Sequence, residues 1–139
     1  MNDSEMTAFV LEFVRQVDDL QRTFRPLLDA ARGGGVSEVF AQYRAHMEEV
    51  YRAFLTPRRR NCLYFGIGDP PAFAGLEHPA AVFSAERREN RAAVTALAGA
   101  GSVDYRFQLV CRGGLWRIDS LKQRYRSGQK THNWCYGSF

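Results

Sequence analysis

The sequence predicts an α+β fold in which two or three N-terminal helices pack on a curved antiparallel sheet built from the C-terminal half. Before residue 56 the apolar residues recur at intervals of three and four, the pattern of an amphipathic helix. After residue 80 apolar and polar residues alternate in segments separated by glycine-rich turns, which is typical of hairpins. We therefore expect a single domain over residues 1–139, with a helical part at 4–56 and a mainly antiparallel sheet at 61–139.

The first helix is predicted from Glu5 to about Arg32. Ser4 is its expected N-cap, because a serine hydroxyl accepts a hydrogen bond from a backbone N–H of the first turn. Pro26 is expected either to kink this helix or to end it early, since proline lacks the N–H of the helical ladder. The glycine run at 33–35 then ends the helix, because glycine readily adopts the left-handed conformation that follows a helix.

A second helix is predicted from near Ser37 to Thr56, where the following proline stops it. The two helices should form an antiparallel pair joined by a short glycine turn. After them, Cys62–Phe65 has the pattern of a short strand and Gly68–Pro71 that of a turn. The segment Ala72–Pro79 is expected either to carry one helical turn or to cross the sheet as a loop.

The rest of the chain is predicted to be extended segments joined by turns. Gly113 and Gly114 suit a two-residue hairpin turn, because glycine supplies the positive φ that such turns need. The glycine-rich segment at 98–101 indicates a second hairpin, and consecutive hairpins give a meander. The predicted strands are Val82–Arg88, Arg91–Leu97, Val103–Arg112, Leu115 to about Tyr125, and a last piece around His132–Tyr136.

Alternation within the strand at 103–112 predicts which side chains are buried. Tyr105 and Phe107 should lie in the core, whereas Asp104 should lie in water on the opposite face. By the same rule Asp119 should point away from the face that Trp116 presents, unless a bulge intervenes, and should then pair with an arginine.

The composition is that of a globular chain and argues against several functional classes. Apolar residues make up 45% and charged residues 24%, and no window approaches the roughly 18 apolar residues of a membrane span. The first residues lack the basic start and apolar run of a secretory signal, so we expect a cytoplasmic protein. The net charge of +4 is too small to favour nucleic acid unless the positive charges share one face.

The residues that usually bind metals or react covalently show no functional spacing. Cys62, Cys111 and Cys135 are an odd number without a CxxC motif, which predicts reduced thiols and neither a disulfide framework nor a zinc site. The histidines lack metal-ligand spacing too. Nucleophile-elbow, HExxH, P-loop and dinucleotide motifs are all absent from the sequence. We therefore expect no catalytic residue, metal or cofactor, and a protein that is not an enzyme.

The order of helices, turn-rich loop and hairpins resembles that of the nuclear-transport-factor-two-like superfamily, whose fold is a cone of curved sheet closed by N-terminal helices. The sharpest likeness lies in residues 105–110 and 116–120, which look like the penultimate hairpin of these folds. Residues 54–57 and the turn at 65–71 are similar to a bacterial group of immunity proteins within that superfamily.

This resemblance implies a role in polymorphic toxin systems. Immunity proteins of that group are encoded beside toxins, which are often substrates of contact-dependent or type VI secretion, and are thought to neutralise them by binding. The expected function is thus a non-enzymatic immunity protein with a cognate toxin as partner. Because many proteins of this fold pair through the sheet, a homodimer is also an expected assembly. Neither a membrane nor a nucleic acid is the expected partner.

Arginine clusters and C-terminal aromatic residues are the candidates for contact with the partner. Runs of arginine are usually solvated, but at the rim of a sheet their guanidinium groups can bind carboxylates or phosphates. Tyrosine, tryptophan and arginine are also enriched at interface hot spots. The mildly basic chain predicts that the contact surface of the partner is acidic or contains an anionic site. The candidates are Arg87, Arg88, Arg91, Arg124, Tyr125, Arg126, Trp134 and Tyr136, with Arg58–Arg60, Lys122 and Lys130 as further basic residues.

Two other classes remain open. In the first, the protein is a small-molecule carrier or an isomerase-like or dehydratase-like enzyme that uses the cone as a pocket. That pocket would be lined by Tyr43, Tyr64, Tyr105 and Trp116. In the second, the protein is a basic nucleic-acid module, which requires the arginine clusters to converge on one face.

Overall fold

A computed structural model of the chain describes residues 1–60, 65–98, 103–127, 130–131 and 133–137. It confirms the α+β class, with helices before strands. In the residues that the structure describes, no helix combines the length and the apolar character that crossing a membrane requires. The elements are α1 (Asp3–Ala30), α2 (Val36–Phe54), a 3-10 turn (Ala74–Glu77), β1 (Val82–Arg88), β2 (Arg91–Leu97), β3 (Val103–Arg112), β4 (Leu115–Ser127), β5 (Lys130–Thr131) and β6 (Cys135–Tyr136).

Asn2, and not Ser4, caps α1. The Asn2 side chain accepts a hydrogen bond from the Glu5 N–H at 2.8 Å, and the Glu5 carboxylate accepts one from the Asn2 N–H at 2.8 Å. This reciprocal capping box satisfies two backbone donors and starts the helix at Asp3, so the predicted cap is wrong. Pro26 lies inside α1, which continues beyond it to Ala30.

The glycine turn returns the chain antiparallel to α1, as predicted. Gly35, with φ of +93°, precedes α2 in the left-handed conformation that glycine adopts cheaply. Rings of α1 and α2 pair at both ends of the hairpin: Phe9 lies 5.1 Å from Phe54, and Phe24 lies 5.6 Å from Tyr43, centroid to centroid. The start of one helix therefore packs beside the end of the other.

The sheet is an antiparallel meander with strand order β1-β2-β3-β4-β5, and β6 also pairs with β4. The first three predicted strands are confirmed at their bounds, while β4 extends to Ser127 and β5 is a strand that the sequence pattern did not predict. Along the same edge of β4, Leu55 forms a parallel bridge with Ile118, so the end of α2 is fixed to the sheet. The predicted strand at 62–65 lies outside the described residues apart from Phe65.

A bulge in β4 changes which residues face the core. Gln108 lies opposite Ser120 and Leu109 lies opposite Ile118, so Asp119 is an extra residue in the β3–β4 ladder. Ile118 and Leu121 are consequently both fully buried although three positions separate them. The bulge shifts the alternation of the strand by one residue, and the second half of β4 still turns its apolar side inward.

Aromatic rings fill the space between the helices and the sheet. Phe13 from α1, Phe73 from the connecting loop and Phe107 from β3 are all fully buried. Their ring centroids lie 5.8 to 6.3 Å apart in tilted or edge-on contacts. The loop before β1 is thereby locked into the core, and its 3-10 turn agrees with the expected helical turn within 72–79.

Candidate functional site

The sheet side opposite the helices, here called the outer face, gathers basic side chains. Arg88 lies opposite Arg91, Arg91 opposite Val110, and Val110 opposite Arg117, so the register puts this row on one face. The neighbouring row, which contains Leu109 and Ile118, is buried under the helices. By this alternation the basic residues of the outer face are Arg88, Arg91, Arg106, Arg112, Arg117, Lys122 and Arg124, and its acidic residues are Glu86 and Asp104.

Asp104 is buried, which contradicts the expectation that it lies in water. It faces outward, but its side chain has no exposed surface, and Arg124 donates to its carboxylate from Nη2 at 3.0 Å and from Nε at 3.3 Å. Its other oxygen accepts from the Ala98 N–H at 3.0 Å. Strand alternation correctly predicts that Asp104 faces outward. It does not predict that Arg124, on the neighbouring strand β4, binds and covers its carboxylate.

The C-terminal segment covers part of the outer face through cation–π contacts. The guanidinium carbons of Arg106 and Arg124 each lie 4.5 Å from the centroid of the Trp134 ring. The Lys122 ammonium lies 4.8 Å from the ring of Tyr136, which is 68% exposed. The structure therefore brings Arg124, Trp134 and Tyr136 of the predicted contact set to one surface.

Arg88 and Arg91 of the predicted contact set also lie on the outer face, whereas Arg87 and Tyr125 lie elsewhere. Arg87 lies over Trp116 at 5.2 Å from the ring centroid and donates to the Met1 carbonyl at 2.9 Å, so it fixes the start of α1. Tyr125 is exposed and accepts a hydrogen bond from Gln123 Nε2 at 2.9 Å. Arg126 pairs with Thr131 through the β4–β5 ladder, and its side chain lies outside the described part of the structure, as does Lys130.

The three described members of the predicted pocket lining occupy separate places. Tyr43 is fully buried, and its hydroxyl donates to the Phe65 carbonyl at 2.6 Å. The Tyr105 hydroxyl donates to the Ala72 carbonyl at 3.1 Å. Trp116 lies beside Arg87, near the start of α1. Tyr64 falls outside the described residues.

Two buried polar side chains of α1 hold the loop before β1, and the sequence pattern gives no sign of them. Asp18 accepts a hydrogen bond from the Phe73 N–H at 3.0 Å, and Gln21 accepts one from the Ala72 N–H at 2.8 Å. Burial raises the pKa of the Asp18 carboxyl from 3.8 to about 6, although the Phe73 N–H lowers it. A cavity of about 390 Å³ beside Gln21 and Tyr105 does not include Asp18 in its lining.

A larger cavity, of about 650 Å³, lies between α2, the segment that follows it and the tip of the β3–β4 hairpin. We call it the arginine cavity. Its apolar lining comes from Tyr51, Leu55, Pro57, Val110 and Leu115. Its charged lining comes from Arg52, Arg58, Arg59, Arg60, Arg112 and Arg117, with Glu48 as the acidic member.

The bulge at Asp119 fixes one wall of the arginine cavity. Nη2 of Arg58 and Nη2 of Arg60 both donate to the Asp119 carbonyl at 2.7 Å, and Thr56 Oγ1 donates to the Asp119 carboxylate at 2.8 Å. Burial and the charge of Arg58 lower the pKa of Arg60. Asp119 is thus an anchor for the segment after α2, not the cross-strand partner of an arginine that regular alternation favours.

Strand register is the signal that could have identified two residues of this cavity. Arg112 and Arg117 flank the predicted Gly113–Gly114 turn, and hairpin pairing puts both on the face of Arg106. Arg52 carries no comparable signal, because its position depends on how α2 meets the sheet.

The histidines and cysteines are the residues to consider for a metal site. Over the described residues, no group of three or more histidine, cysteine and acidic side chains is placed to hold a metal ion. His46 is exposed beside the Phe24 ring, and the His78 Nδ1 accepts from the Ala80 N–H at 3.0 Å. Cys111 and Cys135 are free thiols, while Cys62 and His132 fall outside the described range. Comparisons with protein-family models, curated proteins and solved structures gave no match for this chain.

Proposed function

We propose that this chain is a non-enzymatic immunity protein that binds a cognate bacterial toxin through the basic outer face of its sheet and so blocks the toxin. The observation that carries the proposal is the concentration of arginine on that face together with the aromatic C-terminal segment. In the cone-like fold proposed here, of the nuclear-transport-factor-two type, this surface faces away from α1, and its end at Arg112 and Arg117 borders α2.

The filled interior supports a binding role over a pocket enzyme. Phe13, Phe73 and Phe107 are fully buried and pack against one another between the helices and the sheet, where the proposed cone would have its interior. Asp18, a buried carboxyl with a raised pKa, is used to hold the loop at Phe73. These residues therefore support binding of a partner at the protein surface over catalysis in an interior pocket.

Charge on the outer face defines the kind of toxin surface it fits. Arg88, Arg91 and Arg117 form one row, and guanidinium groups bind carboxylates with two parallel hydrogen bonds. An acidic patch on the toxin would be attracted at long range, so association should be fast at low ionic strength and slower in salt.

The experiment uses the protein encoded beside this chain as the candidate toxin. We expect co-purification with it and protection of cells that express it. Arg88→Glu together with Arg91→Glu should weaken binding at least about tenfold, because two exposed attractive charges become repulsive.

Arg44→Glu is the matched control, since Arg44 is exposed on α2 away from the sheet. It should leave affinity and protection unchanged. Absence of binding and of protection by the unmodified chain would reject the immunity function. Normal binding by the double variant would reject the outer face as the contact surface.

Convergence of the arginines also favours a second candidate, a nucleic-acid-binding protein. Arg88, Arg91 and Arg117 share a row on one face. A chain with a small net charge needs such clustering of its positive side chains to bind nucleic acid. Fluorescence anisotropy with labelled single-stranded RNA and duplex DNA distinguishes it. For about four phosphate contacts, affinity should fall about a hundredfold between about 50 and 200 mM salt.

A further inference from the structure

The arginine cavity has the size and composition of a ligand site. Its volume of about 650 Å³ falls within the roughly 300 to 1,000 Å³ of small-molecule pockets. Such pockets are lined mainly by apolar groups with a few polar groups that orient the ligand. Here Leu55, Val110 and Leu115 supply apolar surface, and Leu115 is 54% exposed at the hairpin tip.

Positive charge dominates the charged lining. Six arginines and one glutamate line the cavity. Within the described part of the chain, none of the ion pairs involves Arg52, Arg59, Arg112 or Arg117. Burial and then the charge of Arg58 lower the pKa of Arg60, while the charge of Asp119 raises it. A bound anion would relieve the repulsion between the two arginines.

Part of this wall is already ordered. Arg58 and Arg60 both donate to the Asp119 carbonyl, which positions their guanidinium groups. Arg117 is likewise oriented by the Trp116 carbonyl, to which its Nη1 donates at 3.0 Å. Arginines ordered before binding lose less conformational entropy when an anion arrives. Multiple guanidinium groups suit a phosphate, which presents several oxygens and up to two negative charges.

We propose that the arginine cavity binds a small organic phosphate of about nucleotide size. The phosphate lies among the arginines, and the apolar or aromatic body lies on Tyr51, Val110 and Leu115. The lining residues of this site on β3 and β4, including Arg112 and Arg117, belong to the outer face proposed for the toxin, whereas the others come from α2 and the segment after it. The proposal does not rest on the toxin function.

Calorimetric titration with adenosine 5′-monophosphate, inorganic phosphate and adenosine tests the two halves of the proposal. We expect the nucleotide to bind at least about tenfold more tightly than either of the other two probes, because only the nucleotide carries both a phosphate and an aromatic base. No heat from the nucleotide at about 1 mM would overturn the site. Equal affinity for the nucleotide and inorganic phosphate, or for the nucleotide and adenosine, would overturn the assigned ligand class.

Three variants locate the binding. Arg112→Gln with Arg117→Gln should weaken nucleotide binding at least tenfold, whereas Arg44→Gln, on the exposed side of α2, should not. Leu115→Ser should weaken nucleotide binding about threefold and leave inorganic phosphate unaffected, because it changes only the apolar lining. Equal losses in Arg44→Gln would mean non-specific charge attraction and reject the cavity. Circular dichroism of each variant establishes that it is folded.

Discussion

Arg124 and Asp104 form an ion pair across the β3–β4 ladder, with Nη2 of the arginine 3.0 Å from a carboxylate that has no exposed surface. Removing the arginine side chain would leave a buried negative charge with less compensation, and such losses cost about 3 kcal/mol. We therefore expect Arg124→Met to lower the free energy of unfolding by about that amount in urea titrations. Arg88→Met, which removes an exposed arginine from the same face, is the control and should cost less than about 0.5 kcal/mol. Equal stability of the two variants would contradict a structural role for the pair.

This pair affects how binding experiments are designed. The sequence predicts that Arg124 contacts the partner, but a variant at this position also changes the stability of the sheet and the cation–π contact with Trp134. Loss of binding in such a variant would therefore not identify a contact. Arg88 and Arg91, which are exposed at the β1–β2 turn, are better probes of the outer face.

Asp18 should make the protein less stable as pH rises from about 4 to about 6.5. Its folded-state pKa, about 6, lies above its ordinary value of 3.8. The contribution of Asp18 to stability is therefore complete below pH 3.8 and is lost as the pH rises through about 6. Asp18→Asn keeps an oxygen for the Phe73 N–H and removes the buried charge. We expect it to stabilise the protein by about 2 kcal/mol above pH 6 and to change stability little near pH 4.

The difference in stability between Asp18→Asn and the unmodified chain isolates this group. Glu12, whose pKa is lowered to about 2 mainly by its hydrogen bond with Arg15, contributes the opposite dependence at lower pH and cancels in that difference. Asp19→Asn removes an exposed charge that is the last of the causes acting on the pKa of Asp18, so most of the slope between pH 4 and 6.5 should remain. A slope that persists in Asp18→Asn would assign it to another group.

The hairpin turn at Gly113–Gly114 should resist substitution where the backbone requires glycine. Gly114 has φ of +78° with open space around it, so an added methyl group meets no neighbour and the cost is purely conformational. Gly114→Ala should destabilise the protein by about 1 kcal/mol. Gly33→Ala, also in open space but without positive φ, should be neutral or slightly stabilising in the same thermal unfolding measurements. A similar cost for both would mean that positive φ is not the cause.

The sequence predicted the elements well because their signals are local. Helical spacing, strand alternation and glycine turns depend on neighbours a few residues apart, and these gave the bounds of β1, β2 and β3. The burial of Asp104 and the capture of the loop by Asp18 depend on contacts between segments far apart in the chain. Arg52 joins the cavity for the same reason, since only the attachment of the chain after α2 to β4, at Leu55 and Ile118, brings it near Arg117. Candidate sites assembled from several elements are therefore less predictable than the elements.

Deleting Asp119 should preserve the sheet and release the segment after α2. Without this residue Ile118 remains opposite Leu109 and Ser120 opposite Gln108, so the ladder becomes regular and Leu121 still faces the core. The anchors from Thr56, Arg58 and Arg60 lose their acceptors, which should cost about 2 kcal/mol and raise amide exchange at 56–60.

Deletion of Lys122 provides the contrast, because it removes one residue from a regular part of the same strand. Every side chain after it then changes face, so Arg124 turns toward the helices and can no longer pair with Asp104. We expect this variant to lose most of its cooperative unfolding transition, while the Asp119 deletion keeps a sharp one at lower denaturant. Equal damage from the two deletions would show that Asp119 is an integral member of the ladder and not the extra residue of a bulge.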